Sequence, residues 1–514
     1  MNTFAPWLFL PYCGRFMTTY RRFVHIILIG CTSIAVILFL FVALSRIQYP
    51  FAIEWLEGNT FLHVLRVLQG QPLYVAPSYD FIPLIYTPLY YYLSAPVAIA
   101  TGNIMVAMRV VSLLATLVAF VALYAIARAY GASAIASLLA VGLFAAAYPI
   151  TGFWFDTAKS DTLSVALLLA AIALVVSLSQ ERLGIVGLAS ILLCFAFAAK
   201  QHAILFTPFF VFHLLLQRWY RMAAIFIISV MLLFIGFVGA SNWLSEGWFW
   251  FYIFTVPSAA PWLIDQLDDI LGQLWADYWP LLVMLGLALA WRIRSRSWQF
   301  SSRQLSFISL VAILAGVSLW SVIKLYAYLN HLIFIAAGLA LLGAKVSDDV
   351  LLHDEPVSWG QRLIHTGAIG LVVIQFAVLG YDPRSQIPAP EWVDEGYALV
   401  EELRTVPEPI FVPVAPYLLA MAGRTTHFHG SSLGDLNVLV QQEPEAKAVY
   451  QPYIDQINAA IRATRTAVLP NARWFDTTFN AERGYVCTPL NDGRPLLPPL
   501  VGVDLHLTRL CVRE

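Results

Sequence analysis

Charge is what this sequence has least of. Asp, Glu, Lys and Arg make up 12% of its 514 residues, about half the share in a soluble globular domain. Hydrophobic residues reach 60% and the mean hydropathy is +0.73, which excludes an ordinary soluble fold and predicts an all-α polytopic membrane protein. The net charge of −1 leaves no basic surplus for nucleic acid. Cysteine is nearly as rare, and five residues in this length exclude a disulfide scaffold. Cys13, Cys31 and Cys194 fall in or beside apolar segments and read as packing residues. Cys487 and Cys511 share the polar tail and can pair if that tail lies outside the cytosol. Also missing are a Walker-type loop, G-x-G-x-x-G, H-E-x-x-H and G-x-S-x-G. No cleavable signal pattern is present. Arg15, Arg21 and Arg22 precede an apolar run too long for a signal h-region, so the N-terminus reads as a retained signal anchor.

Twelve apolar runs lie between residues 24 and 380. A span needs roughly 17–25 residues, so the shorter runs are ambiguous by hydropathy, and charge decides their number better. Basic clusters at Arg15/Arg21/Arg22, Arg128, Arg182, Arg218/Arg221, Arg292/Arg294/Arg296/Arg303 and Lys345/Arg362 all face the cytoplasm only if one run does not cross. The run 86–101 is short, tyrosine-rich and interrupted by Pro88 and Pro96, which assigns it to the interface. About 11 transmembrane helices remain, and 13 of the 19 Lys and Arg up to residue 362 then lie inside. The expected organisation is a membrane module, 1–380, with a first external loop at 46–104, followed by a small external α/β domain at 381–514. The N-terminus is expected in the cytoplasm and the tail on the other side of a bacterial inner membrane, facing periplasm or exterior. Within the tail, 410–423 reads as strand, turn and short helix closed by Gly423, and 441–468 has helical spacing.

That orientation gathers Glu54, Glu57, Arg66, Asp80, Arg109, Asp156, Lys159, Asp161, Lys200, Gln201, His202, Lys324, Asn330 and His331 at the outer side. Ionisable residues at span ends are costly without partners or water, so their convergence predicts a polar cavity. Glu54 and Glu57 share one side of a helix over 54–69. Plainer roles compete for some positions: Arg46 as an interfacial anchor, Asp161 as a helix cap, His202 and His331 as satisfied polar residues, Asp265, Asp268 and Asp269 as a solvated face. His427 and His429, in the tail, read as hydrogen-bonding loop residues or acceptor contacts. A carboxylate can deprotonate an acceptor hydroxyl while Arg and Lys neutralise a leaving phosphate. The residues therefore permit transfer of a group from a lipid phosphate. A secondary transporter or lipid flippase would use the same residues as a relay, but it predicts internal repeats, and the sequence has none. An inactive relative with a binding tail is the third reading.

The order of motifs resembles the GT-C superfamily of membrane glycosyltransferases, in the branch of protein O-mannosyltransferases, the aminoarabinose transferase and the RgtA/B/C/D-like enzymes. Glu57, Arg66 nine residues on, Gly70, Tyr86-Thr87-Pro88-Leu89, Arg109 in AMRVVSLL, FDTAKSDTLS and AAKQHAIL follow that branch in sequence from about 24 to 345. The resemblance implies an inverting transfer from a polyprenyl-phosphate-linked sugar to a lipid, glycan or protein acceptor at the outer face of the membrane. It implies Glu57 as general base, Glu54 as a second acid, and Arg109 and Lys200 on the donor phosphate. Asp156 would orient Lys200 or the acceptor, with Arg66, Lys159, Asp161 and Gln201 in support. Relatives often carry Asp at the Glu57 position and Lys-Pro-Pro or His-Pro-Pro where Tyr86-Thr87-Pro88 stands. No cofactor follows with certainty; a divalent metal stays open, with no ligands named.

Overall fold

The structure, a computed structural model, describes residues 10–294, 300–352 and 359–513. Arg296 lies outside them, and of Arg15, Arg21, Arg292, Arg294 and Arg362, which weigh in the sidedness count, only the backbone is described. Nine helices open the chain: α1 (Leu10–Arg46), α2 (Glu57–Leu68), α3 (Leu89–Thr101), α4 (Ile104–Ala129), α5 (Ala134–Ala146), α6 (Asp161–Val176), α7 (Leu183–Ala199), α8 (Thr207–Leu216) and α9 (Tyr220–Leu244). Further helices follow at Gln266–Arg294, Ser302–Val322, Ile333–Ser347 and Trp359–Val378, and in the C-terminal part at Glu391–Thr405, Gly430–Gln442 and Pro444–Arg462.

Among the described residues six helices are long and apolar enough to cross a membrane, and a bent pair, Leu363–Val378 with Pro383–Thr405, raises the number to seven if it counts as one span. The chain is an integral membrane protein. The expected count of eleven is corrected accordingly. Four of the runs counted there, now Ala134–Ala146, Asp161–Val176, Leu183–Ala199 and Gln201–Leu216, are apolar helices of only 10–17 residues, at or below the short end of the roughly 17–25 that a span takes. Apolar content and helix length are separate properties, and the sequence count had merged them. The run 86–101 folds as α3, with Pro96 inside it, and is not among the helices long and apolar enough to span.

Local sequence explains the boundaries. Asn103 caps α4 by accepting from the Val106 N–H at 3.1 Å, and Ser133 caps α5 through Ala136 at 3.2 Å. Packing runs through α4, α6 and α7 on one side and α1 with α5 on the other. Small residues allow it: a Cβ on Gly142 would sit 2.7 Å from the Cα of Thr32, so only glycine lets α5 approach α1 this closely.

The C-terminal part carries a four-stranded sheet, β1 (Ile410–Phe411), β2 (Thr466–Pro470), β3 (Tyr485–Pro489) and β4 (Leu507–Arg513), in the order β1-β2-β4-β3. β1 and β2 are parallel, and the other pairs antiparallel. The 410–423 segment forms β1 and the Tyr417–Met421 helix, followed by Gly423 at φ +71°. Cys487 and Cys511 stand opposite each other on β3 and β4 and are disulfide-bonded. Non-reducing peptide mapping of protein from intact membranes is expected to recover this pair linked, with Cys31 and Cys194 as free thiols. Free thiols at 487 and 511 would place the tail in a reducing compartment.

The loop 46–104 is the plate on which this part docks. Leu500 and Val501 N–H both donate to the Ile53 carbonyl, at 2.9 and 3.0 Å, and Phe428 N–H donates to Tyr79 O at 3.0 Å. The Tyr417 hydroxyl accepts from Ala52 N–H at 3.0 Å, and Asn59 donates to Ser432 at 3.0 Å. Gly58 and Gly396 take the rings of Tyr417 and Phe51 where a Cβ would collide, at 2.5 and 2.3 Å.

Candidate active site

The two acids of the first loop part company in the fold. Glu57 opens α2 wholly buried, with both carboxylate oxygens occupied. Oε2 accepts from Ile53 N–H and Arg109 Nη2, each at 2.8 Å, and Oε1 from Ala158 N–H at 2.6 Å. Arg109, on α4, is spent on the same loop: it donates to the carbonyls of Arg46 at 3.1 Å, Tyr49 at 2.5 Å and Phe51 at 2.6 Å. This pair clamps residues 46–57 to the membrane helices. It does not line the cavity described below.

Glu54 is different. Its Oε2 accepts from Leu56 N–H at 3.0 Å and lies 3.8 Å from Lys159 Nζ. Its Oε1 is buried without a hydrogen-bond partner. Burial pushes the carboxyl up to about 7 against the opposing pull of Lys159, and burial also lowers the Lys159 ammonium despite Glu54. Lys159 Nζ itself has no hydrogen-bond partner among the described residues. It stands 5.2 Å from the Tyr86 ring centre, and Lys200 Nζ stands 5.5 Å from the same ring, within cation–π range. Lys200 pairs with Asp161 at 2.5 Å, which also accepts from Asn330 at 2.7 Å. A strap from the C-terminal part lies over Glu54. A Cβ on Gly502, at φ +79°, would meet Glu54 Oε1 at 3.3 Å.

Tyr86 joins this cluster to a cavity of 840 Å³ between the membrane helices and the C-terminal part. Trp55, Leu56, Gln201, His202, Lys324 and His331 line one side of it, and Asp435, Asn437, Gln441, Asn458 and Trp474 the other. Val503 and Leu505 of the strap line it too. Gln201 is fixed by donating to Ile85 O at 2.9 Å, leaving its Oε1 unpartnered. Lys324 donates to Pro257 O at 2.9 Å beneath the ring of Trp262, 4.4 Å away. Beside the cavity, Leu205, Ile313, Gly316, Val317 and Trp320 line an open apolar groove of 330 Å³. The Trp320 ring lies 6.0 Å from that of His202.

Of the expected residues, Glu54, Lys159, Asp161, Lys200 and Gln201 come together around Tyr86. The rest do not. Asp156 serves Arg46 rather than Lys200: Arg46 Nε donates to it at 2.6 Å, as does the Tyr148 hydroxyl. Arg46 is therefore no interfacial anchor; it is wholly buried, held by Asp156 and by the Phe153 carbonyl at 2.9 Å, with its Nη1 left without a partner among the described residues. Asp161 binds a lysine instead of merely capping its helix. Arg66 donates to Pro72 O at 2.9 Å and covers Phe81 at 4.1 Å, closing the turn after α2 away from the cavity. His427 and His429 are buried. The first accepts from Val412 N–H at 2.7 Å, and the second contacts the Trp55 and Val414 carbonyls at 3.1 and 3.0 Å. Burial holds their imidazoles down to about 3 and about 4. Among the described residues no group of three or more His, Cys, Asp or Glu could hold a metal ion. Sequence reasoning missed Asp435 and Trp474. The one available signal was an acid inside the apolar helical stretch SSLGDLNVLV.

Two solved structures share this architecture over nearly the whole chain. ArnT from Cupriavidus metallidurans bound to undecaprenyl phosphate superposes with a TM-score of 0.56 over 94% of this chain and 97% of its own, at 11% identity. The apo form of that protein gives 0.55 over 93% and 97%, at 12% identity. The chain has the GT-C fold. No family model and no curated protein matches the sequence, so the GT-C likeness is one of architecture. Within that fold, the polar cluster, Tyr86 and the cavity lie where the loop 46–104 meets the C-terminal part.

Proposed function

We propose that this protein is a membrane glycosyltransferase that moves a sugar from a polyprenyl-phosphate donor to an acceptor in the 840 Å³ cavity, at the outer face of a bacterial inner membrane. The observation that carries the reading is the buried Lys159 ammonium, without a hydrogen-bond partner among the described residues, which stands with Lys200 against Tyr86, a residue that lines that cavity. A buried cation without a hydrogen bond is costly, and a phosphate would satisfy it. The ArnT structure that shares the fold holds undecaprenyl phosphate, and the apolar groove at Trp320 offers a course for such a chain. The disulfide in the tail fits an oxidising compartment.

In this reading Lys159 and Lys200 receive the donor phosphate, and Asp161 with Asn330 holds Lys200 in place. Glu54, rather than the Glu57 expected from motif spacing, is the acceptor-activating base. It has an oxygen without a partner and a carboxyl held near neutrality, whereas Glu57 has three donors on it. Glu54 takes the proton of the acceptor hydroxyl, the hydroxyl oxygen attacks the anomeric carbon, and polyprenyl phosphate leaves with the bonding electrons. Inversion follows from a single displacement. Gly502 lies over the free oxygen of Glu54, so the strap has to shift for the acceptor to reach it.

The test is to incubate purified protein with a set of polyprenyl-phosphate sugars and total membrane glycolipid and to identify products by mass spectrometry. A sugar-mass increment on an acceptor is expected. Lys159→Ala and Lys200→Ala should each weaken undecaprenyl phosphate binding about tenfold, the value of a charge-assisted contact. A protein that binds no polyprenyl phosphate would overturn the donor assignment.

A further inference from the structure

We propose that the C-terminal wall of the cavity is a carbohydrate subsite, in which Asp435 takes hydroxyl groups of an acceptor sugar whose ring lies against Trp55 and Trp474. The word acceptor rests on the transfer reading above; the subsite rests on the chemistry of the wall itself. Trp55 and Trp474 both line the cavity, with ring centres 6.5 Å apart, and Trp55 Nε1 is buried with no partner. Asp435 projects from the Gly430–Gln442 helix into the same space with no hydrogen bond among the described residues. Asn437, Gln441 and Asn458 complete the wall.

A sugar presents an apolar C–H face and a rim of hydroxyls, each both donor and acceptor. Indole faces suit the first. The second is matched by carboxamides, which donate and accept at once, and by a carboxylate, which accepts from two hydroxyls. An extended peptide would call for a free sheet edge or a row of apolar side-chain pockets, and this wall is two helices and a loop. A phosphate group would call for cations, and the C-terminal wall has them only at its exposed rim, in Arg462 and Arg483.

Asp435 also carries a cost that packing does not explain. Asp435 is half-buried at the cavity wall, and the desolvation there holds its carboxyl up at about 7, with Lys159 pulling it back, so an acid without a hydrogen bond among the described residues is kept facing the cavity. Residues retained against stability in this way mark functional surfaces.

The experiment uses the full-length protein in nanodiscs. Saturation-transfer NMR and tryptophan fluorescence report binding of cellobiose, lactose, chitobiose and its deacetylated form, and of serine- and threonine-containing decapeptides. Undecaprenyl phosphate binding is measured in parallel. At least one saccharide should bind wild type, and Trp474→Ala and Asp435→Asn should each weaken it at least about tenfold, as when a hydroxyl-reading group is lost, with undecaprenyl phosphate binding unchanged. Asp435→Asn should also raise the melting temperature at pH 8, which shows that the variant is folded. Absence of saccharide binding at tens of millimolar, saccharide binding equal in the variants, or binding of peptide alone overturns the subsite. Saccharide binding by a protein that ignores undecaprenyl phosphate upholds the subsite and defeats the donor half of the proposed function.

Discussion

Glu54→Gln is expected to lower transfer by about 10²–10⁴-fold, the range for losing a positioned general base, while the protein still folds and binds undecaprenyl phosphate. The amide oxygen of Gln preserves the bond from Leu56 N–H, so the loss isolates the proton transfer. A pH profile checks the same assignment. With the Glu54 carboxyl held at about 7 by burial, transfer should rise as pH passes through that value, and the Gln variant should lose this limb. Stability runs the other way. The folded carboxyl binds its proton more tightly than the unfolded one, whose ordinary value is 4.5, so the stabilisation present below that pH is lost as pH rises toward 7. Lys159 at 3.8 Å shares the titration, and the limb belongs to the pair. Full activity in Glu54→Gln with a dead but folded Glu57→Gln would return the base to Glu57.

Arg109→Ala is expected to fail at folding rather than at chemistry. The guanidinium is 1% exposed and holds three backbone carbonyls as well as Glu57. Removing one partner of such a buried pair costs about 3–5 kcal/mol, a large part of the stability of an average domain. Glu57→Ala should do the same, and the double variant should be less damaging than the two losses added together. Thermal unfolding followed by fluorescence-detected gel filtration measures this. A folded Arg109→Ala protein that has lost undecaprenyl phosphate binding would instead support the donor contact implied by the resemblance.

What could be read along the chain was whatever depends on local composition. Scarce charge and long apolar runs set the membrane class, turn residues such as Gly423 set the first elements of the tail, and motif order pointed to the GT-C fold. The number of spans was legible only in part, because an apolar run shows that a segment is buried but not how far its helix continues. The ionisable residues stood out in the sequence, since a charge in an apolar chain is costly wherever it stands. Their partners were beyond reach. Arg46 meets Asp156 across 110 positions, Arg109 meets Glu57 across 52 and Lys200 meets Asp161 across 39. A charge in low dielectric is defined by the one group that compensates it, and that choice is made by helix packing. Spacing alone therefore ranked Glu57 above Glu54. The tertiary structure spends Glu57 and Arg109 on holding the loop, leaves Glu54 Oε1 and Lys159 Nζ without a hydrogen bond near a cavity, and supplies from the distant tail the Asp435 and Trp474 that complete its far wall.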